Sequence, residues 1–138
     1  MHDVRQFLCW QLSEDFKSQI LTLTADGPIS RDFKLRDQLR NASTSAPANI
    51  VEGFEYFRAA DFARFLRYAV ASLAEAQQRL GDALDSRYID EKRFKELTHL
   101  ASVAKRVTTN LMLSKERQAK RERAERRRPA RRRFRKRS

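Results

Sequence analysis

The sequence predicts an all-α protein: an antiparallel up-down four-helix bundle followed by a disordered basic C-terminal tail. Apolar residues recur at steps of three or four along four segments, and no segment shows the period of two that is typical of a strand. The 138 residues include only three glycines and three prolines, which excludes a turn-rich sandwich or barrel. Basic residues are concentrated near the C-terminus, where large apolar residues are scarce.

Each helix is delimited by its apolar stripe and by the residues that flank it. The stripes run over residues 4–23, 35–57, 62–84 and 94–111. Asp26-Gly27-Pro28 ends the first helix, Ser30 is the expected N-cap of the second, and Asp90 is the expected N-cap of the fourth. Four amphipathic helices of similar length, joined by short connections, bury their stripes around one core. We therefore expect residues 1–114 to form the bundle.

Pro47 lies inside the second stripe. A proline within a helix removes one backbone hydrogen bond and crowds the preceding turn, at a cost of about 3 kcal/mol. Because the apolar stripe keeps its phase on both sides of Pro47, we favour one kinked helix over two helices with a loop near Ser45. The small residues Ala42, Ala46 and Gly53 would let this helix approach a neighbour closely.

The charge divides the chain at Ser114. Residues 1–114 carry 16 basic and 15 acidic residues, whereas residues 115–138 carry 14 basic and 3 acidic ones. The second segment therefore supplies nearly all of the net charge of +12. We expect residues 115–138 to be an Arg-rich helix extension that frays toward Pro129 and ends in a tail that is disordered when free, because its last part has one large apolar residue.

The basic tail predicts a polyanionic partner. Arginine outnumbers lysine there, and its planar guanidinium suits bidentate contacts with phosphate and stacking on bases. A passive, solubilising tail is less favoured, and so is a membrane surface, because the tail has neither a lipid anchor nor an apolar helical face. The candidate nucleic-acid-binding residues are Arg117, Lys120, Arg121, Arg123, Arg126, Arg127, Arg128, Arg131, Arg132, Arg133, Phe134, Arg135, Lys136 and Arg137, with Phe134 suited to stack on an unpaired base.

The composition also limits the chemistry. Cys9 is the only cysteine, so no internal disulfide forms, and two histidines supply no set of metal ligands. No stretch reaches the roughly 18 uninterrupted apolar residues of a transmembrane helix, and the N-terminus lacks the pattern of a secretory signal. We therefore expect a cytoplasmic protein that holds no metal and no cofactor.

Poor helix formers are grouped in the second helix, where serine, proline, asparagine and glycine occur over residues 43–53. A buried polar network between the second and third helices is expected from Asn49, Glu52, Ser72 and Glu75, with Arg40 as the counter-charge. Two carboxylates can divide acid–base work, but no nucleophile, metal set or phosphate-binding glycine loop accompanies them. A structural network that fixes bundle register or a subunit interface is therefore favoured over a catalytic site.

The same cluster resembles the signature of a known family. Residues 40–53 follow the pattern Arg-x-Ala-x-x-Ser-x-Pro-x-Asn-Ile-x-Glu-Gly, formed by Arg40, Ala42, Ser45, Pro47, Asn49, Ile50, Glu52 and Gly53. A second run, Phe-Leu-x-x-Ala-x-x-Ser-Leu-x-Glu, is formed by Phe65, Leu66, Ala69, Ser72, Leu73 and Glu75. Over residues 3–113 the sequence resembles the 23S rRNA intervening-sequence proteins, relatives of the accessory variability determinant of diversity-generating retroelements. The arginine-rich tail is not part of that pattern.

The resemblance implies an antiparallel four-helix bundle that often assembles as a ring-like homopentamer and has no known catalytic activity. For members linked to retroelements it implies adaptors that bind the reverse transcriptase and its RNA template, which favours RNA over DNA as the partner. We therefore expect a non-enzymatic, oligomeric nucleic-acid-binding adaptor, and most specifically an accessory subunit of a retroelement reverse transcriptase. The alternatives are a protein-interaction scaffold with a solubilising or ribosome-associating tail and, least favoured, an enzyme that uses Glu52 and Glu75.

Overall fold

The computed structural model describes the backbone of residues 3–137 and the side chains of residues 3–128. Four α-helices follow one another along the chain: α1 (Leu8–Ala25), α2 (Phe33–Phe54), α3 (Ala59–Asp85) and α4 (Glu91–Arg137). Short 3-10 turns at Val4–Gln6 and Pro28–Arg31 precede α1 and α2. Residues 3–137 contain no strand. The predicted all-α bundle is confirmed.

Neighbours along the chain are also neighbours in space. α1 packs on α2, α2 on α3 and α3 on α4, and α4 closes the bundle against α1. The α2–α3 connection spans only residues 55–58 and the α3–α4 connection only residues 86–90, so successive helices run antiparallel. After α1 the chain turns at Gly27, whose φ of 74° lies in the left-handed region that glycine adopts without a steric penalty.

α2 is one continuous helix that passes through Pro47. The single helix favoured by the sequence is therefore confirmed over the alternative of a loop near Ser45. Its start differs from the prediction, because Asp32 and not Ser30 is the N-cap: the backbone N–H of Leu35 donates to Asp32 Oδ1 at 3.2 Å. The Ser30 hydroxyl instead donates to the carbonyl oxygen of Gly27 at 2.6 Å within the preceding 3-10 turn.

The core has two parts along the bundle axis. One part is aliphatic and alanine-rich, and its largest fully buried side chains are Phe16, Ile20, Leu39, Leu73, Leu80 and Leu97. The other part is aromatic and lies at the end where α2 meets α3. There the rings of Phe7, Phe54 and Phe62 meet edge to face, with centroids 5.6, 6.0 and 6.3 Å apart. The two parts together line all four helices with buried side chains.

α4 extends past the bundle, with a helical backbone from Glu91 to Arg137. The sequence predicted a helix extension beyond Ser114, and the tail that is disordered when free stays a prediction. Arginine, alanine, lysine and glutamate, which make up most of residues 115–137, are strong helix formers, so Pro129 is the one strong local opponent of the helix. The predicted N-cap of α4 is present, since the backbone N–H of Arg93 donates to Asp90 Oδ1 at 2.7 Å.

Candidate nucleic-acid interface

The contacts of α4 with the bundle continue past Ser114, where the charge composition changes. The Lys115 ammonium lies 5.3 Å from the centroid of the Phe62 ring, a cation–π geometry. One residue later, Glu116 accepts an ion-paired hydrogen bond from Arg67 of α3. These contacts hold α4 against the first turns of α3 beyond the boundary that the charge predicted.

The last buried side chain of α4 among the described residues is that of Ala119, which is 6% exposed. Ala119 lines a cleft of about 390 Å³ together with Ala60 and Ala63 of α3, whose small side chains permit a close approach of the two helices. Over residues 120–128 no side chain is buried. We call residues 120–137 of α4 the basic extension; at 1.5 Å per residue it is about 27 Å long.

The predicted nucleic-acid-binding residues fall into two groups. Seven have described side chains, and all seven are exposed: Arg117, Lys120, Arg121, Arg123, Arg126, Arg127 and Arg128. The side chains of the other seven lie outside the described residues: Arg131, Arg132, Arg133, Phe134, Arg135, Lys136 and Arg137. Because successive helical residues are turned by about 100°, the described basic side chains spread over about 220° of the helix circumference, and the remaining sector holds Gln118, Glu122 and Glu125.

Acidic residues compensate only the first part of this charge. Glu116 is paired with Arg67, and Glu122 accepts a hydrogen bond from Gln118 Nε2 at 3.0 Å. Farther along, Arg126, Arg127 and Arg128 form no ion pair within the portion of the chain that the structure describes. The run of three arginines is therefore without an ion-paired carboxylate among the described residues, and the exposed Glu125 directly precedes it.

The polar cluster of α2 and α3 is joined by three short side chains. Ser45 Oγ and Ser72 Oγ lie 2.8 Å apart and share a hydrogen bond between the two helices. Asn49 Nδ2 donates to Ser45 Oγ at 2.9 Å and to the Ser45 carbonyl oxygen at 2.8 Å. Ser45 therefore links Asn49 and Ser72, two members of the predicted network. All three side chains are half-buried.

The charged members of the predicted network do not belong to it. Glu52 and Glu75 are exposed, and Arg40 forms no ion pair within residues 3–128. The expectation of a buried four-residue network with an arginine counter-charge is wrong. The polar stripe lies at the solvent edge of the α2–α3 interface, where short side chains bond across the helices and long carboxylates reach water, which avoids the cost of burying a charge.

Gly53 sets the distance between α2 and α3 below this cluster. A Cβ atom at this position would lie 2.9 Å from Phe65 Cβ and 3.0 Å from Phe62 Cδ1, closer than side chains tolerate. The close approach expected from the small residues of α2 is therefore confirmed at Gly53. It also fixes Phe65 against the backbone of α2.

Sequence reasoning missed a set of aromatic side chains, which we call the aromatic patch: the exposed Tyr56, Phe57 and Tyr68 and the half-buried Phe65. Phe57 was predicted to continue the stripe of α2, but α2 ends at Phe54 and Phe57 is 104% exposed in the following turn. Tyr56 stacks on Phe65, with ring centroids 5.2 Å apart and planes 17° apart. A signal was available, because two consecutive aromatic residues cannot both face one helical stripe.

Other reactive groups in the described chain are isolated. Cys9 is buried, and desolvation raises the pKa of its thiol to about 11, so the thiol is protonated at neutral pH. Within residues 3–128, no group of three or more His, Cys, Asp or Glu side chains is arranged to hold a metal ion. None of the helices, over the residues described, combines the length and apolar character needed to cross a bilayer.

Comparisons with known proteins agree with the observed fold. A family model described as 23S rRNA-intervening sequence protein matches residues 5–110. A solved structure of a protein with unknown function, from the S23 ribosomal protein family of Bacteroides thetaiotaomicron VPI-5482, is similar with a TM-score of 0.71 and 19% sequence identity, covering 76% of this chain and 95% of that chain. At that identity the likeness concerns the fold alone. No match is found among the curated proteins. The range matched by the family model ends before the basic extension.

Proposed function

We propose that this chain, which belongs to the 23S rRNA-intervening sequence protein family, is a non-enzymatic nucleic-acid-binding adaptor that assembles as a homo-oligomer and favours RNA. The observation that carries the proposal is the basic extension. α4 makes its last buried contact at Ala119 and then exposes six basic side chains over residues 120–128. Their charge, geometry and accessibility suit the phosphate groups of a nucleic acid.

The extension is expected to bind through phosphate and not through base sequence. Arginine guanidinium groups donate paired hydrogen bonds to phosphate oxygens, and each phosphate that is neutralised releases counterions. Basic side chains that spread over more than half of the helix circumference contact a flexible polyanion from several directions, without the fixed register that reading base edges requires. Binding should therefore depend steeply on salt and weakly on sequence.

Assembly would multiply this weak interaction. A ring of five chains, the number that the family resemblance implies, carries five basic extensions, and tethered sites bind one long strand with an avidity that a single site lacks. Residues 1–114 are almost neutral, with a net charge of +1, which suits them to assembly and to docking another protein. In its most specific form the proposal makes the chain an accessory subunit of a reverse transcriptase in a diversity-generating retroelement. A reverse transcriptase gene and a template repeat beside this gene would support that form.

The test removes charge from the extension without removing residues from the fold. The triple variant R126Q/R127Q/R128Q keeps good helix formers at three exposed positions that make no ion pair within residues 3–128. The matched control, R31Q/K34Q/K92Q, removes three exposed positive charges at the opposite end of the bundle. Binding of labelled single-stranded RNA and DNA is measured over a salt series, and the oligomer mass is recorded for each protein.

We expect the extension variant to lower the slope of log K against log salt by about 2, which corresponds to roughly 0.7 for each of three lost phosphate contacts. The control should bind like the wild type, and all three proteins should have the same oligomer mass. Equal losses in the two variants would show that only total charge matters and would contradict an interface on α4. If the wild type binds neither strand at physiological salt, the adaptor proposal fails and a protein-interaction scaffold becomes the favoured function.

A further inference from the structure

The aromatic patch exposes large ring faces at one end of the bundle. Phe57 is fully exposed, and Tyr56 and Tyr68 are 40% and 47% exposed. Three of its rings contact one another: Tyr56 stacks on Phe65, and Tyr68 meets the same ring edge to face with centroids 5.6 Å apart. Phe57 follows Tyr56 directly in the turn before α3. An exposed apolar cluster of this kind marks a binding surface more often than chance, because its rings gain from being covered.

This patch lies at the end of the bundle from which the basic extension leaves. α3 begins at Ala59, directly after the turn that carries Tyr56 and Phe57. Arg123 of α4 lines the same cleft as Ala60 of α3. Because α4 runs antiparallel to α3, residues after Arg123 project past the start of α3, toward the side on which the turn at residues 55–58 also lies. The aromatic and the arginine-rich surfaces therefore lie at the same end of the bundle.

The charges around the patch leave it close to neutral. Arg64 Cζ lies 5.3 Å from the Phe65 ring centroid, but the same guanidinium is paired with Asp61 at 3.5 Å. Arg58 is exposed, and so is its acidic neighbour Glu55. A nearly neutral surface attracts phosphate only weakly. The faces of nucleobases, in contrast, stack on exposed aromatic rings irrespective of base identity.

We propose that the aromatic patch, with Phe57 as its main platform, stacks on unpaired bases of the same strand whose phosphates bind the basic extension. The substrate class is then single-stranded nucleic acid, because a duplex hides its base faces while offering the same phosphates. This inference rests on the proposed function, since it concerns how the polyanion held by α4 is recognised. An apolar protein partner would use the patch without needing the arginines at the same end of the bundle, so the two surfaces together favour a single strand.

The experiment compares two exposed phenylalanines in the full chain. F57A removes the proposed platform from a fully exposed position, and F57W restores an aromatic face there. The control is F33A: Phe33 is 65% exposed at the other end of α2, and Arg36 Cζ lies 4.8 Å from its ring centroid, so it offers a similar ring and cation far from the extension. The probes are a labelled uridine homopolymer and an RNA duplex of the same length.

We expect F57A to weaken binding of the single strand by roughly 5- to 100-fold at every salt concentration, with an unchanged salt slope, because stacking releases no counterions. F57W and F33A should bind like the wild type, and F57A should leave duplex binding unchanged. A uridine strand that carries 5-iodouracil should cross-link under ultraviolet light to Tyr56 or Phe57.

The outcomes separate this inference from the proposed function. If F57A binds the single strand as the wild type does while R126Q/R127Q/R128Q loses binding, the stacking inference is overturned and the adaptor proposal stands. Cross-links confined to α4, or an equal loss in F57A and F33A, also overturn it. If the wild type binds neither probe, both proposals fail together.

Discussion

Residues 91–119 and residues 120–137 belong to one helix but meet very different surroundings. In the first part, Leu97, Ala101, Ala104 and Thr108 are fully buried at helical spacing, and Ala119 adds a last contact. In the second part, no side chain from 120 to 128 is buried, and the helix rests on the propensity of its residues. Folding and charge display therefore occupy separate parts of one helix, so substitutions should affect one property without the other.

The largest expected effect comes from the core beside the aromatic end. Leu66 is fully buried, and Leu66→Ala should lower the free energy of unfolding by about 2–5 kcal/mol through lost burial and a residual cavity. Arg127→Ala in the extension should change it by less than about 0.5 kcal/mol. Both are measured by denaturant unfolding at one protein concentration. Similar losses of unfolding free energy in the two variants would contradict the separation of folding from charge display.

The second effect depends on pH and also distinguishes the two regions. Burial raises the pKa of Cys9 to about 11 from its ordinary value of 9.0, so between these values the native state holds a proton that the unfolded chain releases. Stability should therefore fall as pH rises from 9 to 11, by at most roughly 3 kcal/mol. The arginines of the extension stay charged over the same window.

The measurement for this effect is a pair of stability curves against pH, one for the wild type and one for Cys9→Ala. The variant lacks the thiol, so its curve should fall less steeply above pH 9. The difference between the two curves isolates the contribution of the Cys9 thiol. Parallel curves would show that the buried thiol has no linkage to folding.

The third prediction uses one substitution at two helical glycines. Gly53→Ala should lower the free energy of unfolding by about 1–2 kcal/mol, because the added Cβ would lie 2.9 Å from Phe65 Cβ. At Gly81 an added Cβ meets nothing within 4 Å, so Gly81→Ala should raise it by roughly 0.5–1 kcal/mol through helix propensity. Thermal unfolding of both variants checks the sign. A shared sign would mean that Gly53 is not a point of close helix approach.

The smallest effect locates the point at which α4 stops being a bundle helix. Ala119→Lys places a charge at a buried position and should cost about 1 kcal/mol of unfolding free energy. Ala124→Lys adds the same charge at an exposed position and should cost less than about 0.5 kcal/mol. Denaturant unfolding of the two variants provides the measurement. Equal costs would move the boundary away from Ala119.

Much of the fold follows from apolar periodicity. The stripes that predicted four helices contain the side chains that fill the core, including Leu39, Leu73, Leu80 and Leu97. The same periodicity correctly predicted that α2 continues through Pro47, because an apolar stripe that keeps its phase can be buried on both sides of a proline. The exposure of the basic residues late in α4 could also be predicted, because a run of charges without apolar neighbours cannot be buried in a core.

The remaining errors arise where phase alone does not decide. Phe57 continues the phase of α2, but the helix ends at Phe54 and the chain turns into α3. Glu52 and Ser45 occupy the same side of α2, yet only the short serine bonds across to α3. Periodicity gives the direction in which a side chain leaves its helix, but it gives neither the helix end nor the depth of the neighbouring surface. The aromatic patch depends on both, so sequence reasoning missed it.

The unbroken backbone of α4 has a mechanical consequence. From Leu97 to Arg128 the helix is continuous, with no loop. Its first part is packed in the bundle, and its second part carries the arginines. One inserted residue between 119 and 126 would rotate Arg126, Arg127 and Arg128 by about 100° around the helix axis and move them about 1.5 Å along it. Four inserted residues would nearly restore their original direction from the axis. The bundle therefore fixes the angle about the helix axis at which the chain presents these three arginines.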